Sequence, residues 1–110
     1  MSYSDVYECV SQVVPCRHYA WPDDSAPALP WAVYTGESDP IVADDFQTGA
    51  IHHWTVELYE KRRDAQLEAS LEAAIVAAFG NYTKREVPIK SEDCLMVTYD
   101  FRQIEGENYG

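Results

Sequence analysis

The stretch HHWTVELYEKRRDAQLEASLEAAI, residues 52–75, decides the fold because a strand, a turn and a helix follow one another within it. Polar and apolar residues alternate from residue 51 to residue 59, and this period of two predicts a β-strand. One face of this strand carries His52, Trp54, Val56 and Leu58. The charged segment after it is too polar to continue a half-buried strand, so we place a turn there.

The second half of the stretch predicts a long helix that packs against the strand. Asp64 is a favourable N-cap, and the helix is expected to end at Phe79, before Gly80. Its apolar residues recur at helical spacing, and they are Leu67, Leu71 and Ile75. Glu68 and Glu72 are predicted to point away from this apolar stripe.

The adjacent histidines raise the question of a metal site. Neighbouring residues of a strand point to opposite faces, so His52 and His53 cannot both ligate one ion without distortion. His53 and Glu57 share a face but stand about 13 Å apart, at roughly 3.3 Å per residue. The sequence also has no Gly-rich phosphate loop and no G-x-S-x-G motif. We therefore interpret the histidines as the start of a buried strand and predict no metal, no cofactor and no enzymatic activity.

The flanking sequence supplies the rest of a single domain, residues 1–110. A helix is predicted over residues 4–14, and strands over 16–21, 29–36, 82–89 and 94–101, the last of them central. The order α-β-β-β-α-β-β predicts an α+β fold: a mixed, mainly antiparallel sheet with both helices packed on one face. The predicted core consists of Val10, Val33, Trp54, Val56, Leu58, Leu67, Leu71, Ile75, Val97 and Tyr99.

The segment from residue 36 to residue 50, GESDPIVADDFQTGA, is predicted to be a long acidic loop. Its centre, IVADDF, also fits one arm of a hairpin that leads into the next strand. A connection of this length in a small domain usually serves an interface or a binding site. The candidate functional residues of this loop are Glu37, Asp39, Asp44, Asp45 and Phe46.

The charge balance limits the possible partners. The chain has 19 acidic and 8 basic side chains, a formal net charge of −11. Binding to nucleic-acid phosphates requires Lys and Arg, so this balance argues against ordinary DNA or RNA binding. The three cysteines form no C-x-x-C pair, which predicts reduced, packed thiols. No apolar run reaches the ~20 residues of a membrane helix, and the N-terminus lacks a signal-peptide pattern, so we expect a cytosolic protein.

Three motifs in order resemble the small tail-terminator (tail-completion) proteins of long-tailed bacteriophages and prophages. They are LPWAVY at 29–34, WTVELYEKRRDAQLEASLEAAI at 54–75 and CLMVTYDF at 94–101, with the acidic segment after the first. The similarity extends from Leu29 to Ile104 and lies in the order and spacing of these motifs. None of them is catalytic, so the resemblance implies a structural role.

The resemblance implies a homo-oligomeric ring, typically a hexamer, on the head-proximal end of the tail tube. The ring would stop tube growth and bind the tail-tube protein and a head-neck (stopper or connector) protein, while DNA passes through without specific binding. It would lie in the virion tail or neck, and in the host cytoplasm during assembly, without membrane contact. The residues of the 36–50 segment then become candidates for a subunit interface or a DNA-repelling lumen.

Three other functions stay open at this point. Another head-tail joining neck protein has a similar composition. An acidic inhibitor or DNA mimic would use the negative charge to bind a basic partner, as a monomer or dimer. A small hydrolase would need the histidines and the loop carboxylates to converge in one pocket.

Overall fold

The computed structural model describes residues 3–21, 27–43 and 46–106. Two helices and five strands follow one another in the predicted order. They are α1 (Tyr3–Ser11), β1 (Cys16–His18), β2 (Trp31–Ala43), β3 (Phe46–Glu60), α2 (Ala65–Phe79), β4 (Thr83–Ile89) and β5 (Cys94–Gly106), with a 3₁₀ turn at Lys90–Glu92 before β5. The part of the chain that is described contains no helix long and apolar enough to cross a membrane.

The strands form one sheet in the order β1-β2-β3-β5-β4. β1 runs parallel to β2, and every other neighbouring pair is antiparallel. The predicted mixed, mainly antiparallel sheet is therefore confirmed, and β5 lies inside it between β3 and β4, as expected.

Helix α2 begins after the predicted Asp64 cap and ends at Phe79, before Gly80, as the sequence predicts. The Asp64 side chain accepts a hydrogen bond from the Leu67 backbone N–H at 3.0 Å and so caps the first turn. Gly80 follows the last turn with a φ of 94°, and its N–H donates to the Val76 carbonyl. A positive φ is accessible to glycine at little cost, which explains why the helix ends there.

Both helices pack on one face of the sheet, as predicted. Their buried residues contact the alternate strand positions that point to this side, which include Trp54, Val56, Leu58, Val97 and Tyr99. From the helices come Val6, Cys9, Val10, Leu71 and Ile75, while Leu67 is partly buried against the same cluster. We call this side the covered face. Val33 is also buried, but its place in β2 directs it to the other side, which we call the open face.

The segment predicted as a long loop, 36–50, is strand at its described positions. β2 runs on to Ala43 and β3 begins at Phe46, so the two form one long hairpin. Pairing with β3 satisfies backbone groups that a loop would have to expose, although the register shifts between Ile41 and Val42. β3 therefore starts six residues before His52, and the interpretation of the histidines as the start of the strand is wrong.

Candidate assembly surfaces

The three central strands extend beyond the helices and the outer strands. β1 pairs with β2 only as far as Tyr34, and β4 pairs with β5 only as far as Asp100. Beyond these points the described ladder is three strands wide, and we call residues 36–43, 46–54 and 101–106 the distal ribbon. The ribbon gives the molecule its elongated shape, 51 Å along its longest axis against 27 and 22 Å along the others.

The ribbon carries the candidate acidic residues on its open face. Glu37 and Asp39 are exposed, and Asp39 accepts a contact of 3.1 Å from the His53 ring through Nε2. Asp44 and Asp45 lie outside the described residues. Phe46 is the first residue of β3. The structure thus brings Glu37 and Asp39 together on one surface.

A row of charge crosses the open face of the ribbon. Glu37 on β2 lies opposite His53 on β3, and His53 lies opposite Arg102 on β5. Directly opposite residues in antiparallel strands point to the same face, so the three side chains form a line across the ribbon. The row therefore has an acid on β2 at one end and a guanidinium on β5 at the other.

The two histidines point to opposite faces, as the strand period predicts. On the covered face His52 stacks on Trp54 with ring centroids 5.9 Å apart, and its Nδ1 lies 2.6 Å from the Ser38 hydroxyl. His53 lies on the open face beside Asp39. Across the described ranges, no three His, Cys, Asp or Glu side chains are grouped to hold a metal ion.

The proximal end of the open face is aromatic. Trp31 and Tyr59 lie opposite each other on β2 and β3, with ring centroids 4.7 Å apart. The Trp21 ring packs edge-on against the Trp31 ring, with centroids 6.3 Å apart. Burial, followed by the charge of Glu57, raises the pKa of Tyr59 to about 12, so its hydroxyl stays protonated at neutral pH. Neither helix covers these rings. The three rings are half-buried, and aromatic surface of this kind is typical of interfaces.

A notch of about 360 Å³ lies where β4 ends beside β5. Trp54, Tyr82 and Phe101 form its apolar wall, and Asp100 and Arg102 lie at its polar side. Because β4 begins at Thr83, the next stretch of β5 runs along the notch without a described neighbour on that side. The notch is therefore an opening along a strand edge rather than an enclosed pocket.

The prediction that Glu68 and Glu72 point away from the apolar stripe is wrong, because both side chains bond to residues of the sheet. Glu68 is only 2% exposed, and its Oε1 accepts Lys84 Nζ at 2.9 Å and Arg63 at 3.3 Å. Glu72 accepts the Tyr99 hydroxyl at 2.8 Å, the Tyr82 hydroxyl at 3.1 Å and Lys84 Nζ at 2.7 Å. These cations and hydroxyls offset the cost of removing two carboxylates from water.

The shifts in pKa within this ionic cluster follow from those contacts. Burial acts to raise the pKa of Glu72, but hydrogen bonds from Lys84, Tyr99 and Tyr82 outweigh it, so that pKa is lowered. Burial acts to lower the pKa of Lys84, yet its bonds to the two glutamates raise it. Glu72 and Lys84 are thus held in their ionised forms at neutral pH.

Glu60 lies beside this cluster without sharing its bonds. It is the last residue of β3 and is 1% exposed, and in the described structure neither carboxylate oxygen has a hydrogen-bond partner. Burial, and next the neighbouring Glu68 carboxyl, raises the pKa of Glu60 to about 7. A sequence pattern could not reveal this residue, because it looks like the first residue of the charged turn.

The thiols are not suited to nucleophilic chemistry. Cys9 and Cys16 are buried and Cys94 is half-buried, and all three are free thiols. Burial, followed by the proximity of Cys9, raises the pKa of Cys16 to about 11. A raised pKa leaves little thiolate at neutral pH, and the thiolate is the reactive form.

Comparison with known proteins gives a fold relationship. No model of a known protein family matches the sequence, and no curated protein sequence matches it either. The fold is similar to that of a chain in a solved structure described as "Virion of native gene transfer agent (GTA) particle". The TM-score is 0.54 at 16% sequence identity, and the alignment covers 92% of this chain and 84% of that chain. At this identity the likeness shows a shared fold.

Proposed function

We propose that this chain is a structural protein of a phage-like particle, where it forms a hexameric ring that caps the head-proximal end of the tail tube and joins it to the neck. The observation that carries the proposal is the fold likeness to a virion chain, which extends over nearly the whole of both chains. The tail-terminator motifs between Leu29 and Ile104 support the position within the particle.

The surfaces of the molecule suit such a role. A cyclic ring requires two different patches on each subunit that fit one another. The open face of the distal ribbon supplies a row from Glu37 to Arg102, and the aromatic end of the open face supplies a further contact area. The partners in this proposal are further copies of the chain, a tail-tube protein and a head-neck protein. Its location is the virion tail or neck, and the host cytoplasm during assembly.

The experiment that tests this function is native mass spectrometry of the purified chain, alone and after addition of the tail-tube protein of the same particle. We expect a hexamer, or a monomer that closes into rings on short tubes, which negative-stain electron microscopy would show at one tube end. A chain that stays monomeric and leaves tube growth unchanged would contradict the proposal. Binding to a basic protein under those conditions would instead favour an acidic inhibitor.

The acidic residues of the hairpin would let DNA pass without binding. Repulsion between carboxylates and phosphates keeps a negatively charged passage from retaining DNA. Replacing Asp44 and Asp45 with Lys in the assembled ring should therefore increase DNA retention, and increasingly so at low salt. A filter-binding assay on the rings would measure it, and equal retention by both rings would exclude a lumen position for these two residues.

A further inference from the structure

We propose that Glu60 and Glu68 form an acid pair that shares one proton, in which the Glu60 carboxyl group donates a hydrogen bond to Oε2 of Glu68. The bond connects the end of β3 to the first turns of α2, and it makes this junction sensitive to pH. The inference concerns the fold of one subunit and is independent of the proposed ring.

Three buried carboxylate oxygens at this junction lack a hydrogen-bond partner among the residues that the structure describes. They are both oxygens of Glu60 and Oε2 of Glu68, and the two residues are 1% and 2% exposed. The two carboxyl groups lie within hydrogen-bonding reach of each other. Two ionised carboxylates cannot bond to each other, because each can only accept. One proton between them supplies the missing donor and gives a partner to one oxygen of each residue.

The neighbouring cations leave the proton on Glu60. Oε1 of Glu68 accepts Lys84 Nζ at 2.9 Å and Arg63 at 3.3 Å, and these cations stabilise a negative charge on Glu68. Within the described part of the chain, no Lys or Arg forms an ion pair with Glu60. A second negative charge in the same buried place would repel the first with little screening by water. The favourable arrangement is therefore an ionised Glu68 beside a protonated Glu60.

The other groups around Glu60 are engaged elsewhere. The titratable groups that face Glu60 are Glu68 from α2, Arg63 and Asp64 from the turn, and the Tyr99 hydroxyl from β5. Tyr99 donates its proton to Glu72 at 2.8 Å, and Arg63 bonds to Glu68. Neither is therefore free to replace the shared proton.

The pH dependence of the pair follows from these contacts. Burial, and next the Glu68 carboxyl, raise the pKa of Glu60 to about 7, while the Asp64 backbone N–H acts to lower it. The bond is therefore lost as the pH rises through about 7 and the proton passes to the solvent. A cavity of about 110 Å³ between the turn and the Leu29–Pro30 segment has Glu60 in its wall and has room for water. Ionisation should thus draw water to Glu60 and loosen the first turns of α2.

The test is an NMR titration of the side-chain carboxyl carbons of the full chain. In the wild type, the Glu60 and Glu68 signals should move together with a midpoint of about 7, because a shared proton changes both groups. Glu68→Gln should lower the Glu60 midpoint by about one pH unit or more, since the amide is uncharged and can donate to an ionised Glu60. Glu57→Gln is the matched control, because it removes one carboxylate from the other face of the same strand, and it should leave the Glu60 midpoint unchanged.

A Glu60 midpoint that stays at about 7 in Glu68→Gln would overturn the acid pair, because burial alone would then retain the proton. A wild-type Glu68 signal that does not move through the Glu60 step would also overturn it, and this measurement requires no variant. A wild-type Glu60 midpoint at the ordinary 4.5 would exclude a retained proton altogether.

Backbone amide exchange tests whether the bond holds α2 to β3. After correction for the intrinsic rate, exchange in the first two turns of α2 should accelerate about tenfold or more as the pH rises from about 5.5 to about 7.5. In Glu60→Gln, whose amide keeps a donor for Glu68 at every pH, this acceleration should be absent. Equal acceleration in the variant and the wild type would show that the pair does not control the junction.

Discussion

Strands β3 and β5 each pass through two different environments along their length. In the five-stranded part of the sheet, which we call the body, Val56 and Leu58 of β3 and Val97 and Tyr99 of β5 are fully buried under the helices. In the distal ribbon, Ile104 is 54% exposed, although its strand pairing is just as regular. Backbone pairing is thus continuous from one end of the sheet to the other, whereas side-chain burial stops partway.

This difference distinguishes the part of the sheet that stabilises the fold from the part that we propose takes part in assembly. Strands in globular proteins are usually about five or six residues long, and β3 has 15. Apart from Trp54 and Phe101, which are buried at the base of the distal ribbon, the additional length buries little within the chain, so it adds little to the free energy of unfolding. An extension of regular strands with a polar surface fits the assembly role that we propose for the chain.

The largest expected effect comes from removing one apolar side chain in each region, Leu58 on the covered face of the body and Ile104 on the open face of the ribbon. Leu58→Ala should lower the free energy of unfolding by about 3 kcal/mol, because the lost side chain leaves a cavity under the helices. Ile104→Ala should change it by less than about 0.5 kcal/mol. Urea unfolding followed by tryptophan fluorescence would measure both, and similar losses at the two sites would contradict the division into body and ribbon.

The sequence predicted the body better than the ribbon, because the sequence features that define the body act between residues close together in the chain. The Asp64 cap, the apolar spacing of Leu71 and Ile75 and the stop at Gly80 all act within α2, and its bounds follow from them. The covered face of β3 follows from its alternating pattern in the same way. The bounds of α2 and the faces of β3 can therefore be predicted from neighbouring residues alone.

The ribbon was missed because its composition is typical of a loop. Glycine and proline are rare within strands, yet Gly36 and Pro40 each have a specific reason to be present here. The Trp54 ring lies over Gly36, and Pro40 takes an edge position. Both reasons depend on residues of the partner strand or on the sheet order, which no local pattern contains.

The buried acids were missed for a related reason. Glu68 and Glu72 look like solvent-facing helix residues, but their partners Lys84 and Tyr99 come from the last two strands of the sheet. A sequence pattern shows the glutamates without showing the cation that neutralises them. Glu37 and Asp39 were named from the sequence, and only the structure shows that Glu37 lies in a row that ends at Arg102.

An intermediate effect is expected at the junction of β3 and α2, where Glu60 makes the stability of the body depend on pH. Its pKa is raised from the ordinary 4.5 to about 7, so the folded chain binds more protons than the unfolded chain between these values. Stability contributed by the protonated form is present at about pH 4.5 and is lost as the pH rises through 7. The loss should be on the order of 2–3 kcal/mol.

Glu60→Gln removes the ionisation while keeping the shape, so it should flatten this decline and raise stability at pH 8. Urea unfolding at pH 5, 6, 7 and 8 would measure it, with the exposed Glu8→Gln on α1 as the control for charge. Below pH 5 the lowered pKa of Glu72 acts in the opposite direction, because its contribution is lost on protonation. A decline of equal size in Glu60→Gln would show that another group causes it.

The smallest of these effects, about 1–2 kcal/mol, is expected at the boundary between the two regions. Gly36 lies opposite Trp54, and a Cβ at this position would overlap the six-membered part of the indole ring. Gly36→Ala should therefore displace the Trp54 ring and destabilise the chain, and the indole fluorescence should shift to longer wavelength as the ring gains exposure. The same substitution in a Trp54→Leu background removes the overlap and should cost measurably less. Equal costs in both backgrounds would mean that the Trp54 ring does not require a glycine at position 36.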